Sequence, residues 1–421
     1  MLRRVEVKGY KCLRYIAQRL SPFHILVGPN ASGKSAFLDV VLFVRDLIDK
    51  DVEQAVRSRA RSLRELVWKG EEDHFEIALE FQLPKDIRVP RNGHTYTGLR
   101  YEVRIREEEN RLQIPVENLW LISEKGGEET KPQPRQLGLF PQERHDVPET
   151  IVVEPERRKP KGWRKVMSRS REGRVYVHSE RTDWNLPLKP IAGRSGLTII
   201  PEDEDRFPAA VWLRRLFISD ILFVMLDSRA MRKSVPPDAP RTFQPTGANL
   251  ARALEALQQE DKQNFRRWLQ HLQTVLTDLT DLEVAELPEN RFRYIVATFA
   301  GGAKVPSWLL SDGSLRVMAL TLLPYLPTPQ GIYFVEEPEN GVHPKVLEAI
   351  YQSLSSVYNG QVLCATHSPV FLNLAKPEEL LCFARTESGA TDIVSGDKHP
   401  RLKEWREEVS LGDLLVSGVL G

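Results

Sequence analysis

The sequence predicts an α/β fold in which both chain ends build one mixed sheet and the middle is inserted as a β-rich and helical region. Three observations predict it. An apolar run, His24 to Val27, meets a glycine-bounded loop, Gly28-Pro-Asn-Ala-Ser-Gly-Lys-Ser35, and then an apolar helical stretch from Ala36. Two later apolar runs end in Glu336-Glu337 and in Thr366-His367-Ser368. Between these regions the hydrophobic period changes to strict alternation from His74 and returns to a helical one at Pro208.

The elements follow in order. Leu2 to Val7 alternates as a half-buried strand does, Gly9 permits a turn, and Tyr10 to Leu13 leads into a second strand. His24 to Val27 feeds the glycine loop. Phe37, Leu38, Val41, Leu42, Val44, Leu47 and Ile48 mark a buried helix after it, and 49–66 carries a second helical pattern. Phe75 to Leu83 reads as a strand, 101–105 and 112–116 as a hairpin-like pair, and Leu119 to Ile122 as another strand. Residues 123–165, rich in Pro, Gly and charge, read as a loop. Arg174 to Val177 and Leu197 to Ile200 read as strands bordering it. From Pro208 a helical pattern leads into the apolar run 218–226, and an amphipathic helix or helix pair spans 248–279. The expected divisions are 1–84 and 283–421 as the two parts of a head, 85–207 as a β-rich insertion and 208–282 as a helical region.

Composition bounds the function. The 421 residues are 41% apolar and 28% charged, which suits a soluble globular chain with a full core. A net charge of +1 argues neither for nor against nucleic acid. The three cysteines have no metal-ligand spacing and their odd number gives no disulfide framework, so a reducing cytoplasm is expected. No apolar run approaches the roughly 18 residues of a membrane span, and Met1 to Lys8 lacks a signal-peptide core, so no membrane partner is expected.

The chemistry lies in the motifs. Gly28 and Gly33 let the backbone curl so that the N–H groups of Pro29-Asn30-Ala31-Ser32 and their neighbours face an anion; Pro29 itself, lacking an N–H, contributes only shape. The helix beginning near Lys34 adds its positive end. This is the pattern that holds a nucleoside triphosphate, with Lys34 toward the β- and γ-phosphates and the Ser35 hydroxyl on Mg²⁺. Glu336, ending an apolar strand, is placed to complete the Mg²⁺ shell. Glu337 is placed to polarise a water that attacks the γ-phosphate, and His367 to hydrogen-bond that phosphate or water. Ser311 is placed to cap a helix, giving with Gly313 a second anion site. Nine basic residues between Arg157 and Arg174, around Trp163, read either as a phosphate-contacting surface or as a solvated, mobile loop.

Taken together these motifs resemble an ABC-type ATPase of the branch containing RecF, the structural-maintenance-of-chromosomes (SMC) proteins and the overcoming-lysogenization-defect proteins. More narrowly, they resemble the single-chain AAA ATPases of bacterial defence loci. Val5 to Leu13 is similar to that branch's opening strand and turn, Gly28 to Ser35 to Walker A, and Leu310-Ser-Asp-Gly-Ser314 to the signature motif, with Asp312 where transporters carry glycine. Glu336 stands at the Walker B acid, Glu337 at the catalytic glutamate, Asn340 to Pro344 at the D-loop and His367 at the switch histidine. For the Q-loop glutamine only Gln82 and Gln113 are candidates. The resemblance implies an ABC ATPase head that binds ATP and Mg²⁺. It also implies a head-to-tail homodimer in which Ser311 and Gly313 of one chain complete the site of the other. It further implies a role in nucleic-acid metabolism or anti-phage defence, acting on DNA or RNA or gating a nuclease-like effector in a separate chain. Fewer residues follow His367 than the Toprim nuclease of the overcoming-lysogenization-defect proteins needs. The rival readings are an ATP-dependent scaffold with little turnover and a transporter's nucleotide-binding subunit. The apolar tail 411–421 is expected to dock on the head.

Overall fold

The two chain ends meet in one sheet because its central strands are short apolar runs with both faces buried. The computed structural model describes residues 1–91, 93–124, 140–144, 146–154, 159–170, 172–326, 331–358, 360–402 and 409–420. Six strands lie in the order Ile221–Val224, Ile332–Glu336, Gln361–Ala365, Phe23–Val27, Leu380–Arg385 and Thr391–Ser395. The first five are parallel and the last is antiparallel to its neighbour, so the sheet is mixed. Parallel strands require cover on both faces. Leu26, Ile332, Phe334 and Leu363 accordingly enter one core, while Ile25, Val27, Tyr333, Val335 and Val362 enter another.

The first core packs the helix Lys34–Asp49 between this sheet and a second, antiparallel one. The second sheet runs Asn185–Leu188, Val175–His178, Trp163–Arg169, Arg111–Ser123, His94–Glu108, His74–Gln82, Leu2–Tyr10, Leu13–Arg19, with Val89–Arg91 beside His94–Glu108. It crosses the 84/85 division, because His74–Gln82 pairs along its length with His94–Glu108. Ile221–Val224, from the segment read as helical, is likewise an edge strand of the six-stranded sheet, in register with Ile332–Val335. The second core holds the helices Leu250–Glu260, Lys262–Val275, Asp312–Leu322 and Leu347–Ser355. Gln361 joins the two sheets: its side chain accepts from the Leu2 N–H at 3.0 Å and donates to the carbonyls of Leu2 at 2.9 Å and Ser21 at 2.8 Å.

Several local expectations change. Leu197 to Ile200 is not a strand: Gly196–Ile199 forms a 3₁₀ turn whose first N–H groups bond the buried Glu117 carboxylate and the Ser195 hydroxyl. The helical pattern of 49–66 reduces to Val52–Arg57 and a 3₁₀ turn at Leu63–Glu65, since Arg59 turns inward to pair with Asp39 and Asp46. Leu119 to Ile122 is the end of Arg111–Ser123 rather than a separate strand.

Only part of the basic stretch departs from the solvated-loop reading: Lys159, Lys161 and Arg174 are exposed outside the strands, and Arg157, Arg158 and Arg171 lie outside the described residues. Trp163–Arg169 is a strand. Arg169 is buried and donates to the Glu117 carboxylate at 2.8 Å and the Arg194 carbonyl at 2.6 Å. Arg164 donates to the carbonyls of Ser179 and Thr182 at 2.7 and 3.0 Å. Within 123–165, residues 146–154 form a strap on the outer face of the antiparallel sheet, with Ile151 N–H on Glu76 at 2.7 Å and Val153 N–H on Glu102 at 3.0 Å. At the tail, Leu411–Val416 is a helix against Pro369–Leu372; Gly412 N–H donates to Asn373 at 2.7 Å, and Leu411 and Leu420 are buried. The tail docks on the six-stranded sheet's side of the molecule, as expected.

Glu117 carries the largest test of this fold, since it accepts from Tyr101 at 2.8 Å, Ser195 at 2.5 Å, Gly196 at 2.8 Å and Arg169 at 2.8 Å. Removing one partner of a buried charge pair leaves the other uncompensated, so Glu117→Ala lowers stability in urea unfolding by about 3–5 kcal/mol. Arg174→Ala, on the exposed side of the same basic stretch, changes it by less than about 0.5 kcal/mol. Equal effects would contradict this account.

Candidate functional site

The glycine loop folds as a cradle because glycine occupies the two positions where a side chain has no room. Gly28 has φ 146°, and a β-carbon there would lie 2.1 Å from the Phe383 carbonyl oxygen. Gly33 has φ 106°, and its β-carbon would lie 2.2 Å from the Thr391 hydroxyl. Both conformations favour glycine. Gly33 caps the 16-residue helix Lys34–Asp49, whose free N–H groups and dipole face the loop. Pro29, Asn30 and Ala31 form the exposed rim. Ser32 is buried: its N–H donates to Pro29 at 3.2 Å, and its carbonyl accepts the Thr391 hydroxyl at 2.9 Å. The edge strand Thr391–Ser395 thus props the loop from behind. Ser32 Oγ is a buried hydroxyl without a hydrogen-bond partner among the described residues, a donor held inside an anion cradle.

Lys34 is buried, and its ammonium donates to the carbonyls of Gly28 at 2.7 Å and Pro29 at 3.0 Å. Burial lowers its pKa to about 8, against the opposing pull of the Glu336 and Glu337 charges. Both carboxylates are therefore within electrostatic reach of the lysine. The Ser35 hydroxyl donates to Glu336 at 2.9 Å across 301 residues of sequence. Ser35 lies in the first turn of the helix after Phe23–Val27, and Glu336 ends a strand one removed from Phe23–Val27, so both sit at the carboxyl edge of the parallel sheet, where α/β folds gather ligand groups.

Glu337 leaves the strand with φ 49°, an uncommon conformation for a non-glycine residue. Its N–H donates to the Ala365 carbonyl at 2.8 Å, the Asn340 N–H returns to its carbonyl at 3.0 Å, and the Asn340 amide donates to its carboxylate. Its carboxylate stays exposed. Glu339 ties this turn to the neighbouring strand end. One oxygen accepts the Thr366 hydroxyl at 2.7 Å and the His367 N–H at 3.0 Å. The other oxygen is buried without a partner among the described residues. The His367 residue is exposed beside it.

Ser311 caps Asp312–Leu322, accepting from Ser314 N–H at 3.1 Å, and Asp312 pairs with Arg232 at 2.6 Å. Gly313 packs so closely on Gly341 that a β-carbon would lie 3.1 Å from its carbonyl oxygen. Among the described residues no hydrogen bond or ion pair joins Ser311 or Gly313 to the glycine loop of the same chain. The structure therefore gathers Gly28 to Ser35, Glu336 and Glu337 by direct contact and charge, and ties the His367 backbone to Glu339; Ser311 and Gly313 have no such tie to the loop among the described residues. Gln82 donates to the Thr97 carbonyl at 2.9 Å, and Gln113 pairs with Arg106; neither contacts the loop. Glu339 and Thr391 were not singled out as site residues in sequence. Glu339 carried a signal, as a second carboxylate two residues past Glu337. Thr391 carried none, because its loop partner is 359 residues away.

The donor set fits a nucleoside triphosphate with Mg²⁺. Backbone N–H groups, a helix start and a lysine suit a polyphosphate, and a hydroxyl beside a carboxylate supplies hard oxygen ligands. Among the described residues no helix is long and apolar enough to cross a membrane.

Solved structures align with nearly the whole chain. One is an SMC head bound to the C-winged helix domain of ScpA: 15% identity, 98% of this chain and 99% of that chain, TM-score 0.49. Another is the SMC head domain with an extended coiled coil bound to the C-terminal domain of ScpA from Pyrococcus furiosus: 14% identity, 96% and 98%, TM-score 0.47. A third is the SMC head domain from Thermotoga maritima: 11% identity, 94% and 98%, TM-score 0.43. No curated protein matches. The family profile described as "AAA domain, putative AbiEii toxin, Type IV TA system" matches residues 23–373, from the strand that feeds the glycine loop to just beyond His367. With the glycine loop, Ser311, Glu336, Glu337 and His367 all inside a match over most of the chain, the chain belongs to this AAA domain family.

Proposed function

We propose that this chain is an ATP-hydrolysing switch that closes as a head-to-tail homodimer and acts, in anti-phage defence or nucleic-acid metabolism, through a separate effector chain. The observation that carries the ATPase half is the Ser35–Glu336 hydrogen bond at 2.9 Å with Glu337 next in sequence. It joins the loop that suits a triphosphate to the acids that suit its hydrolysis. The loop N–H groups and Lys34 bind the β- and γ-phosphates. Ser35 and Glu336 hold Mg²⁺, which when bound neutralises phosphate charge. Glu337 accepts the proton of the water as its oxygen bonds to the γ-phosphorus; the bond from that phosphorus to the β,γ-bridging oxygen breaks, and ADP leaves. His367 is placed to hydrogen-bond the γ-phosphate. Ser311 and Gly313 make no hydrogen bond or ion pair with their own chain's loop among the described residues, which leaves them to serve the loop of a second copy. The type IV toxin–antitoxin system named in the family's description supports a defence setting and a partner chain. A nuclease-like effector and a DNA or RNA target rest on the motif resemblance.

Three measurements test this. Lys34→Ala weakens ATP binding about tenfold or more, since a charge-assisted bond to phosphate is lost. Glu337→Gln binds ATP normally but lowers kcat by about 10²–10⁴-fold, the range for a lost general base. With ATP it doubles in mass by light scattering; a monomer under those conditions would remove the dimer. Glu339→Ala, by freeing the Thr366–His367 strand end, lowers kcat about tenfold with KM for ATP changed less than threefold, whereas Glu339→Gln, which keeps an accepting oxygen, recovers most of the rate. Equal losses in the two variants would show that charge, not positioning, is at issue.

A further inference from the structure

The strand Gln361–Ala365 ends just before Thr366-His367-Ser368, and the chain then makes only a four-residue helix, Pro369–Leu372. Ser368 caps that helix, its hydroxyl accepting from Phe371 N–H at 3.2 Å, and Pro369 opens its first turn. So short a helix has no stability of its own. The place of His367 is therefore set by what its flanks touch. On one side its N–H is held by Glu339 at 3.0 Å. On the other, Phe371 and Leu372 are buried, and the C-terminal helix Leu411–Val416 packs on Pro369–Leu372.

That C-terminal helix is closed at both ends by its own residues. The Ser410 hydroxyl accepts from Asp413 N–H at 3.1 Å and donates to the Asp413 carboxylate at 2.7 Å. At the far end Gly418, with φ 70°, donates to the Leu415 carbonyl at 3.0 Å, and Val419 N–H to that of Leu414 at 2.9 Å, a stop that turns the chain back. Leu411 at the start and Leu420 after the stop both enter the second core. The contact with the His367 segment is made at a glycine. A β-carbon on Gly412 would stand 2.5 Å from the Pro369 carbonyl oxygen, and the Gly412 N–H donates to the Asn373 side chain at 2.7 Å. Covering apolar surface needs only the leucines. A glycine at the point of contact fixes how closely the two helices approach. The family match ends at residue 373, so the tail lies beyond it and touches its last residue.

We propose that the tail 409–420 is a positioning element for hydrolysis. Docked, it holds Pro369–Asn373 from behind and so fixes His367 beside Glu339. Undocked, it frees that strand end and slows turnover while ATP binding is unchanged. Chain termini are among the segments most readily released, so turnover is adjustable from a surface away from the nucleotide. The rate effect rests on the role proposed above for His367.

The test uses the full chain. Gly412→Val, whose side chain has no room against Pro369, and Leu420→Ser, which puts a hydroxyl into the core, each undock the tail. Amide hydrogen exchange over 366–373, read without nucleotide, is expected to quicken about tenfold in both, with the helix Lys34–Asp49 unchanged. The expected kcat falls about three- to tenfold, with the Kd for a non-hydrolysable ATP analogue changed less than about twofold. In a His367→Ala background the same substitutions lower kcat by less than about 1.5-fold further, because the route through His367 is already cut. Val416→Ser, on the exposed side of the tail, changes none of these readings. Unchanged exchange overturns the positioning role. Faster exchange with an unchanged kcat, or with ATP binding lost, overturns the link to hydrolysis. Equal fractional losses with and without His367 overturn the route through it. A wild-type chain without turnover would instead sink the ATPase reading and the rate effect with it, while the exchange still decides whether the tail holds the segment.

Discussion

The pairing of Phe23–Val27 with Gln361–Ala365 is the constraint on which the rest depends. These parallel strands come from opposite ends of the chain and sit side by side at the centre of the six-stranded sheet. Closing so long a loop is entropically unfavourable, though the cost grows only slowly with length. Burial of apolar side chains on both faces offsets it. With this pairing in place, Gly28, Glu336 and His367 arrive at one sheet edge together. Gln361 extends the same joint outward by bonding Leu2 through both its backbone groups.

The antiparallel sheet is held by a different kind of contact. Its outer face carries Arg100, Arg104, Glu76 and Glu102 in buried or half-buried pairs, and the strap 146–154 spends its N–H groups on those carboxylates. Such networks add little net stability, because desolvation offsets much of the attraction, but a misplaced strand would leave a charge unpaired. They fix register and strap position where apolar packing alone would tolerate sliding. The same logic turned Arg169 inward onto Glu117.

Around the loop, precision comes from sterics. Gly28 and Gly33 allow Phe383 and Thr391 to approach to distances that a β-carbon forbids. Glu337 keeps its positive φ because its N–H, its carbonyl and its carboxylate are all engaged by neighbours. Strain of this kind persists only when the surroundings over-determine it. Glu339 then makes the turn after one strand and the end of the next a single unit.

Much of this was legible in the residues. Strand, glycine loop and helix at 23–49, the apolar strands ending at Glu336 and Ala365, and the alternation from Phe75 all follow from periodicity and glycine placement, which are local properties. What remained illegible was long-range. Arg169 looked like part of a solvated run because its acidic partner, Glu117, lies on another strand. Leu197 to Ile200 looked like a strand because Glu117, which caps the turn, is some eighty residues away. The chain's own residue types thus determined which segments are strands and helices and which side chains could hold a polyphosphate. The choice of neighbours — Thr391 for Ser32, Glu339 for His367 — belonged to the tertiary structure alone, because a hydrogen bond depends on where two strand ends meet in space, and no local pattern encodes that.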